Sequence, residues 1–296
     1  MNVEKLIEIL ETQSASYEQF RLFARIIREL ASIPGLCYHV DQGNIYATKG
    51  RSHRYPAMVA HMDTVHDITD DLVAVQVGRN ITGVNPVTMK QTGIGGDDKV
   101  GVFIALECLR SCDVLKAAFF RDEEVGCEGS YAADSGFFND CNFVLQCDRS
   151  GYSDFITHAG CVELSSAEFQ GCLYPLLQAH GYMYTHGLMT DVMALKEIGV
   201  SCSMANLSCG YFAPHTAHEF VNLDTVDRCL RLVFSIFDRY GDLSFPHRYT
   251  KPRGIIYSSK SNVTVHHLYC RDCWAPYPTA TGYCNNCNEY YQLQVK

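Results

Sequence analysis

The hydrophobic positions of this chain fall into two alternating patterns. Residues 17–32 place apolar side chains three and four positions apart, the spacing typical of an amphipathic helix. Short apolar runs that end in polar residues are instead typical of buried strands. Such runs occupy residues 55–60, 116–120, 143–147 and 200–206. Further helices are predicted over residues 3–12, 97–109, 129–137, 165–179, 190–198 and 224–239.

The order of these elements predicts an α/β fold. Apolar strands alternate with helices over most of the chain, and residues 36–47 add a predicted hairpin. Residues 70–95 have a β-like pattern with no long helix, and residues 242–262 resemble a linker or an irregular packing segment. In α/β folds, binding sites form beyond the carboxyl ends of the strands, so polar residues at those positions are candidates for a site.

Composition places the chain among soluble globular proteins. Of its 296 residues, 47% are hydrophobic and 19% are charged, with a net charge of −9. This charge argues against a general nucleic-acid or anionic-membrane binder. No apolar run approaches the ~18 residues of a membrane span. The 15 cysteines are odd in number, most are scattered, and the N-terminus lacks a signal peptide's apolar core. We therefore expect reduced thiols and a cytoplasmic protein.

Side chains that suit zinc stand just past the predicted strands or at helix starts. They are His61, Asp97, Glu124, Asp148 and His215. Each also has an ordinary interpretation as a strand-end histidine, a helix cap or a solvated loop residue. Two ions bridged by one carboxylate, ~3.5–4 Å apart, can activate a shared water. Glu123 adjoins a proposed ligand and is the natural general base.

The motifs that contain these residues resemble those of the peptidase T family and, more broadly, of the co-catalytic di-zinc exopeptidases of clan MH. In chain order they are His61-Met62-Asp63-Thr64, Gly96-Asp97-Asp98-Lys99-Val100-Gly101, Asp122-Glu123-Glu124-Val125-Gly126, Asp148 and His215-Thr216-Ala217-His218-Glu219-Phe220. Residues 125–130 also resemble the lidless aminopeptidases of that clan. The resemblance spans roughly residues 1–245 and implies a three-layer helix/mixed-sheet/helix domain. We place this catalytic domain at 1–250.

The resemblance also implies a role for each residue. His61 and Asp148 would bind one zinc ion, Glu124 and His215 the other, and Asp97 would bridge both.

The same resemblance assigns residues around these ligands. Asp63 would orient the first histidine, a common way to fix an imidazole tautomer. Glu123 would act as general base and later donate the proton to the leaving amine. Asp98 fits a helix start or a supporting position better than a ligand, and His218 is likewise expected to support the site.

The chain departs from peptidase T where that family carries a lid domain. Only residues 149–214 separate the fourth ligand from the last histidine, and Thr190-Asp191 within them resembles a helix of the catalytic core. The lid is therefore expected to be absent, and no arginine precedes Thr190 to bind a free carboxylate. Lidless relatives mostly act as aminopeptidases. Residues in the shortened region that could stabilise the oxyanion are His158, His186, Tyr182 and Tyr184.

The C-terminal residues 262–296 contain two Cys-x2-Cys pairs separated by ten residues. Four thiolates with this spacing suit one tetrahedral zinc ion, which would supply the folding energy of so small a unit. The alternative is two disulfides or unused thiols. The cysteines are Cys270, Cys273, Cys284 and Cys287. Aromatic residues here could stack on nucleic acid, but few basic residues accompany them, so contact with a protein partner or with the active site fits at least as well.

Three functional hypotheses follow. The first is a zinc-dependent metallopeptidase, an aminopeptidase-type exopeptidase on short peptides, with two catalytic zinc ions and one structural. The second is an amidohydrolase or deacylase that uses the same residues on a non-peptide small molecule. The third is a scaffold that binds a partner through the zinc ribbon. A homo-oligomer is compatible with each of them.

Overall fold

The computed structural model describes residues 1–69, 71–250, 283–284 and 289–290. Cys270, Cys273 and Cys287 lie outside the described residues, as does the side chain of Cys284. The backbone of Tyr283–Cys284 pairs antiparallel with that of Glu289–Tyr290. The zinc unit at 262–296 and the boundary at residue 250 stay predictions.

Seven α-helices and one 3-10 helix (Ser135–Phe138) form in the described part of the chain. The α-helices are α1 (Val3–Leu10), α2 (Phe20–Ala31), α3 (Gly96–Ser111), α4 (Glu128–Tyr131), α5 (Ala167–His180), α6 (Asp191–Glu197) and α7 (Leu223–Tyr240). In α2, the buried residues Leu22, Ile26 and Leu30 recur every four positions, so one face packs on the protein and the other meets solvent.

Nine strands form one mixed sheet at the centre of the fold. They are β1 (Leu36–Asp41), β2 (Asn44–Lys49), β3 (Tyr55–His61), β7 (Leu115–Phe120), β8 (Cys141–Arg149), β9 (Asp154–Ala159), β10 (Val162–Glu163), β11 (Met183–Gly187) and β12 (Ser203–Ser208). The order is β1-β2-β7-β3-β8-β12-β9-β10, and β11 pairs with β9. Strands β7, β3, β8 and β12 run parallel to one another, so their carboxyl ends share one edge.

Helices cover both faces of this sheet. On one face, α1, α2, α3, α5 and α7 enclose the larger hydrophobic core, in which α3 is buried along most of its length. On the other face, Val192 and Leu195 of α6 pack with Val144 and Met204 from the sheet in a second core. The predicted helix/sheet/helix layering is therefore confirmed for this part of the chain.

A second, smaller sheet combines three strands from the segment between His61 and Asp97 with two short strands on either side of His215. Its strands are β4 (Val73–Val77), β5 (Asn80–Asn85), β6 (Lys90–Thr92), β13 (Tyr211–Phe212) and β14 (Phe220–Asn222). Its first three strands confirm the β-like pattern predicted for 70–95. Among the helices that the structure describes, none is long and apolar enough to cross a membrane.

Three strands of the main sheet were not predicted, and one of them, β10, is only two residues long. β9 and β11 carry exposed or half-buried polar residues among their apolar ones, as in Met183-Tyr184-Thr185-His186-Gly187, so no continuous apolar run marks them. The strand predicted at 200–206 begins later, at Ser203. Its first predicted residues are instead the turn that leaves α6, where the N–H of Val200 donates to the carbonyl of Leu195.

Candidate metal centre and active site

The parallel strands bring polar side chains together at their carboxyl ends. His61 is the last residue of β3, Glu123 and Glu124 follow β7, and Asp148 lies near the end of β8. Because these strands are neighbours in the sheet, side chains far apart in sequence meet at one edge. Asp97 reaches the same place from the start of α3.

His61 is the most enclosed member of this group, with only 1% of its side chain exposed. Its Nε2 atom lies 3.2 Å from Asp97 Oδ1 and 3.6 Å from Asp148 Oδ1. Its Nδ1 atom lies 2.9 Å from the backbone carbonyl of Asp63. A proton on Nδ1 would be donated to that carbonyl, which leaves Nε2 as the nitrogen that faces the carboxylates.

Asp97 lies between two histidines. Its Oδ1 faces His61 Nε2 at 3.2 Å, and its Oδ2 faces His215 Nε2, also at 3.2 Å. Glu124 Oε2 lies 3.2 Å from the same atom of His215. These contacts form two groups of side chains that could hold a metal ion, and both groups include Asp97. Their members are His61, Asp97 and Asp148 in one, and Asp97, Glu124 and His215 in the other.

The donors of both groups fit divalent metal ions. Imidazole nitrogens and carboxylate oxygens are common zinc ligands. The second oxygen of Glu124, Oε1, is buried and has no hydrogen-bond partner among the described residues. A buried carboxylate oxygen is rarely left without a partner, and a cation beside it would satisfy it. The sequence predicts these five ligands together, and the structure brings them together; their binding of metal stays a prediction.

The electrostatics of the cluster also favour a cation. Burial, and then the neighbouring Asp97, raise the pKa of Asp148 to about 8. Burial works to lower the pKa of His61, but its contacts with Asp148, Asp63 and Asp97 raise it well above its usual value. Hydrogen bonding to Asp97 and Glu124 raises the pKa of His215 to about 10. The clustered carboxylates thus favour positive charge at this site, and a bound metal ion would supply that charge.

Glu123 stands beside both groups without belonging to either. Its Oε2 lies 3.9 Å from His61 Nε2, and its side chain is only 12% exposed. The thiol of Cys127 donates to its other oxygen, Oε1, over 3.5 Å. Burial raises the pKa of Glu123 well above its usual value, against the charge of His61, and the nearby Asp148 raises it further. The sequence predicts Glu123 as the general base, and this buried environment suits that role.

Asp63 connects the first histidine to the loop that carries Glu123 and Glu124. Its Oδ1 accepts the N–H of Glu123 at 2.8 Å and lies 3.4 Å from His61 Nδ1. Its Oδ2 accepts the N–H of Glu124 at 3.2 Å and the hydroxyl of Ser16 at 2.8 Å. The predicted orienting contact with His61 is thus made by the carbonyl and the carboxylate of Asp63 together.

Asp98 supports the site by binding the backbone of His61. It is fully buried, and it accepts the N–H of His61 at 3.1 Å and the N–H of Gly101 at 3.0 Å. Neither of the two metal-holding groups includes it. His218, which we expected to support the last ligand, lies instead with its Nδ1 3.3 Å from the side chain of Gln91.

Two of the four residues considered for the oxyanion are already engaged elsewhere. The hydroxyl of Tyr182 donates to the carbonyl of Ser208 at 2.7 Å, and that of Tyr184 donates to the carbonyl of Gln170. The rings of His158 and His186 contact each other in a tilted arrangement, with centroids 5.0 Å apart. Neither tyrosine hydroxyl is therefore free to face a substrate.

The structure adds supporting residues that the sequence did not reveal. Tyr211 donates its hydroxyl to Asp148 Oδ1 at 3.2 Å, and Gln146 donates its amide to Asp148 Oδ2 at 3.1 Å. Asn206 accepts the N–H of Asp148 at 2.9 Å. Gln146 and Asn206 are polar residues within buried strands, which was the one available signal. Glu219 belongs to the motif at residues 215–220, but the sequence of that motif gives no indication of the contacts that Glu219 makes.

No protein-family model matches the sequence. No curated protein matches it either.

Solved structures share its fold. The aminopeptidase PepT of Bacillus cereus superposes with a TM-score of 0.65 at 12% identity, covering 79% of this chain and 96% of that chain. A tripeptidase of Staphylococcus aureus gives 0.62 at 12% identity, with coverage of 79% and 96%. The TET1 peptidase of Pyrococcus horikoshii gives 0.56 at 16% identity, with coverage of 79% and 98%. At such low identities the likeness shows the fold: a mixed sheet flanked by helices, as in these peptidase domains.

Proposed function

We propose that this chain is a metal-dependent hydrolase that cleaves peptide bonds, an aminopeptidase-type exopeptidase acting on short peptides. One observation carries the proposal: the two oxygens of Asp97 face two different histidines, each at 3.2 Å. A carboxylate so placed is suited to bridge two cations. The fold likeness to an aminopeptidase and a tripeptidase supports the same reaction class.

The proposed ligands divide as the sequence implied. His61 and Asp148 would hold one zinc ion, Glu124 and His215 the other, and Asp97 both. Zinc bound there would activate water near neutral pH and polarise the scissile carbonyl. Tyr211 and Gln146 each donate to Asp148 and fix its oxygens. Asp63 fixes the ring of His61.

Glu123 would move the proton. Cys127 engages Oε1 of Glu123, so Oε2 is the oxygen that faces the proposed metal centre. Its raised pKa allows it to take a proton from water at Oε2 and to give that proton to the leaving amine. The N–H of Glu123 is bound to Asp63, which fixes the base relative to His61.

Cleavage from the amino end fits the charges around the site. In the described residues, the carboxylates among the proposed ligands pair with histidines, and no arginine or lysine pairs with them. No cation is thus placed among the ligands to bind a peptide's terminal carboxylate. His215 is 52% exposed, so the site is accessible from solvent. An absent lid, as the sequence implies, would agree with this.

The same observation supports a second candidate, an amidohydrolase or deacylase for a small non-peptide amide. Without a cation to select a terminal carboxylate, the residues described would accept either class of amide. The third hypothesis, a scaffold that uses the C-terminal ribbon, predicts an inactive site without metal.

We further propose a cytoplasmic setting and an assembly beyond the single chain. Apart from Cys161, the cysteines of residues 1–69 and 71–250 form no disulfide, and several are buried, as expected of reduced thiols. The TET1 peptidase of Pyrococcus horikoshii assembles into a tetrahedron or an octahedral shell. Self-association, or a protein partner bound through residues 262–296, is the corresponding proposal here.

The test compares wild type with Glu123→Gln on dipeptides, tripeptides, N-acetylated peptides and N-acylated metabolite-like amides. We expect release of the amino-terminal residue from peptides with a free amine, and a loss of about 10²–10⁴-fold in kcat in the variant with unchanged metal content. Glu128→Gln is the matched control, because Glu128 begins α4 directly after this loop and pairs with Arg121. Full activity of Glu123→Gln would refute the mechanism. Activity on acylated amides alone would favour the second candidate.

A further inference from the structure

Glu219 binds the backbone on both sides of Gly96. Its Oε2 accepts the N–H of Gly95 at 2.7 Å, and its Oε1 accepts the N–H of Asp97 at 3.1 Å. The side chain of Glu219 is fully buried. A buried carboxylate that receives two backbone N–H groups through separate oxygens fixes the peptide between them in position and orientation.

His66 completes this arrangement. Its Nε2 lies 2.8 Å from Glu219 Oε2, so the ring can donate to the oxygen that also binds Gly95. One side of the ring packs directly against Gly93, because a Cβ atom there would lie 2.0 Å from His66 Cε1. The carboxylate thus faces three donors, two at Oε2 and one at Oε1.

The backbone at Gly95 and Gly96 is closely packed. Gly95 has a φ of 66°, a conformation that favours glycine. A Cβ atom on Gly96 would lie 2.7 Å from Tyr211 Cβ and 3.4 Å from Glu219 Oε1. The backbone therefore lies directly against Glu219, and the position of Asp97 depends on that contact.

We propose that Glu219, oriented by His66, is a positioning residue that directs the two oxygens of Asp97 toward His61 and His215. The inference rests on the proposed function, since it concerns the carboxylate that would bridge the two metal ions. Glu219 contacts neither proposed metal group directly and acts through the backbone of Asp97.

The positions of Glu219 and His66 in the chain link the two loops that carry the ligand histidines. Glu219 follows His215 by four residues, and His66 follows His61 by five. Each loop that presents a ligand histidine therefore also supplies one member of the pair that fixes Asp97. A displacement of either loop would move its own histidine and the bridging carboxylate together.

The test uses the full chain, stripped of metal and titrated with Co²⁺, followed by calorimetry and by the visible spectrum. Glu219→Gln places an amide NH₂ where three donors now converge, so at least one donor would face another donor. We expect affinity for the pair of ions to fall about 10–100-fold, with an altered spectrum. Glu29→Gln is the control, since Glu29 is a partly buried glutamate that pairs with Lys5 and with Arg110 near the far end of α3.

Two substitutions of His66 provide an independent comparison. His66→Gln retains a donor for Glu219, whereas His66→Leu removes it. We expect the Gln variant to bind Co²⁺ more like wild type than the Leu variant does, which a merely space-filling role would not produce. This pair decides the question if Glu219→Gln does not fold.

The outcomes separate this inference from the function on which it rests. Wild type that binds fewer than two Co²⁺ ions outside the C-terminal thiolates would overturn the proposed metal centre itself. Wild type that binds two, together with Glu219→Gln and His66→Leu proteins of equal affinity and spectrum, would overturn only the role of Glu219.

Discussion

The carboxylate of Asp63 accepts the backbone N–H of Glu123 at 2.8 Å, although the two residues are sixty positions apart in the chain. The same carboxylate lies 3.4 Å from Nδ1 of His61. One buried side chain thus sets the distance between the histidine that would bind metal and the proposed base. Its contribution is geometric, because both of its oxygens accept backbone N–H groups of the loop that carries Glu123.

Asp63→Asn is predicted to lower activity without abolishing metal binding. The amide keeps one acceptor oxygen, but its NH₂ group would face one of the N–H donors of Glu123 and Glu124. We expect metal affinity or kcat to fall about 10–100-fold, the usual effect of altering a ligand's supporting partner. Initial rates and metal affinity of the purified variant would measure this.

A matched variant controls for the loss of a charge. Asp154→Asn changes an aspartate that pairs with Arg149 at a half-exposed position. It should retain wild-type rates. If Asp63→Asn were equally active, the Asp63 contacts would have no part in the reaction.

The proposed ligands were predictable because of where the strands end. His61 and Asp148 each close an apolar run, and Glu124 follows another, so the pattern that predicts a buried strand also locates the polar residue at its end. The parallel arrangement of those strands then brings the residues to one edge. Local sequence and one topological rule were sufficient for this part of the site.

The supporting residues could not be predicted in this way. Glu219 contacts Gly95 from a distant loop, and Tyr211 contacts Asp148 across the gap between two sheets. Such contacts depend on how loops pack, which periodicity does not encode. β9 and β11 were missed for a related reason: the sheet recruits them by backbone pairing, while their side chains remain partly exposed.

Metal content distinguishes the enzyme from the scaffold. We expect about three zinc ions per chain, because the ligand set around Asp97 suits two and the four C-terminal cysteines suit one. Chelation should abolish activity and lower thermal stability, since bound metal stabilises the folded state by mass action. Elemental analysis and thermal unfolding before and after chelation would test both.

Variants assign the ions to their sites. Cys284→Ser with Cys287→Ser should lose one zinc ion, and His61→Ala should lose at least one of the other two together with activity. A wild-type protein that contains a single zinc ion, lost in the cysteine variant, would instead support the scaffold hypothesis.

Gly101→Ala is predicted to destabilise the helix that follows Asp97. A Cβ atom at this buried position would lie 2.2 Å from Asp98 Oδ1, the oxygen that accepts the N–H of Gly101 itself. Overpacking of this kind typically costs about 1–3 kcal/mol of unfolding free energy. Urea unfolding would measure the change.

Gly171→Ala provides the opposite expectation in the same experiment. Gly171 lies in α5, and no atom stands within 4 Å of an added Cβ. Alanine there should stabilise the protein by about 0.5–1 kcal/mol, because it is the better helix former. Equal effects of the two substitutions would show that the contact with Asp98 is not limiting.

Cys202 should give stability that is lost in alkali. Burial raises the pKa of its thiol to about 11, although the charge of Lys196 lowers it, while an unfolded thiol titrates near its ordinary value of 9.0. The folded state holds this proton more tightly, so its contribution is present below pH 9 and disappears as pH rises through 11. By pH 10.5 the loss amounts to about 2 kcal/mol.

The Cys202→Ala variant tests this assignment. Between pH 8 and pH 10.5, its unfolding free energy should fall by about 2 kcal/mol less than that of wild type. Cys37→Ala, at an exposed position in β1, should follow wild type, and parallel curves for all three proteins would contradict the assignment.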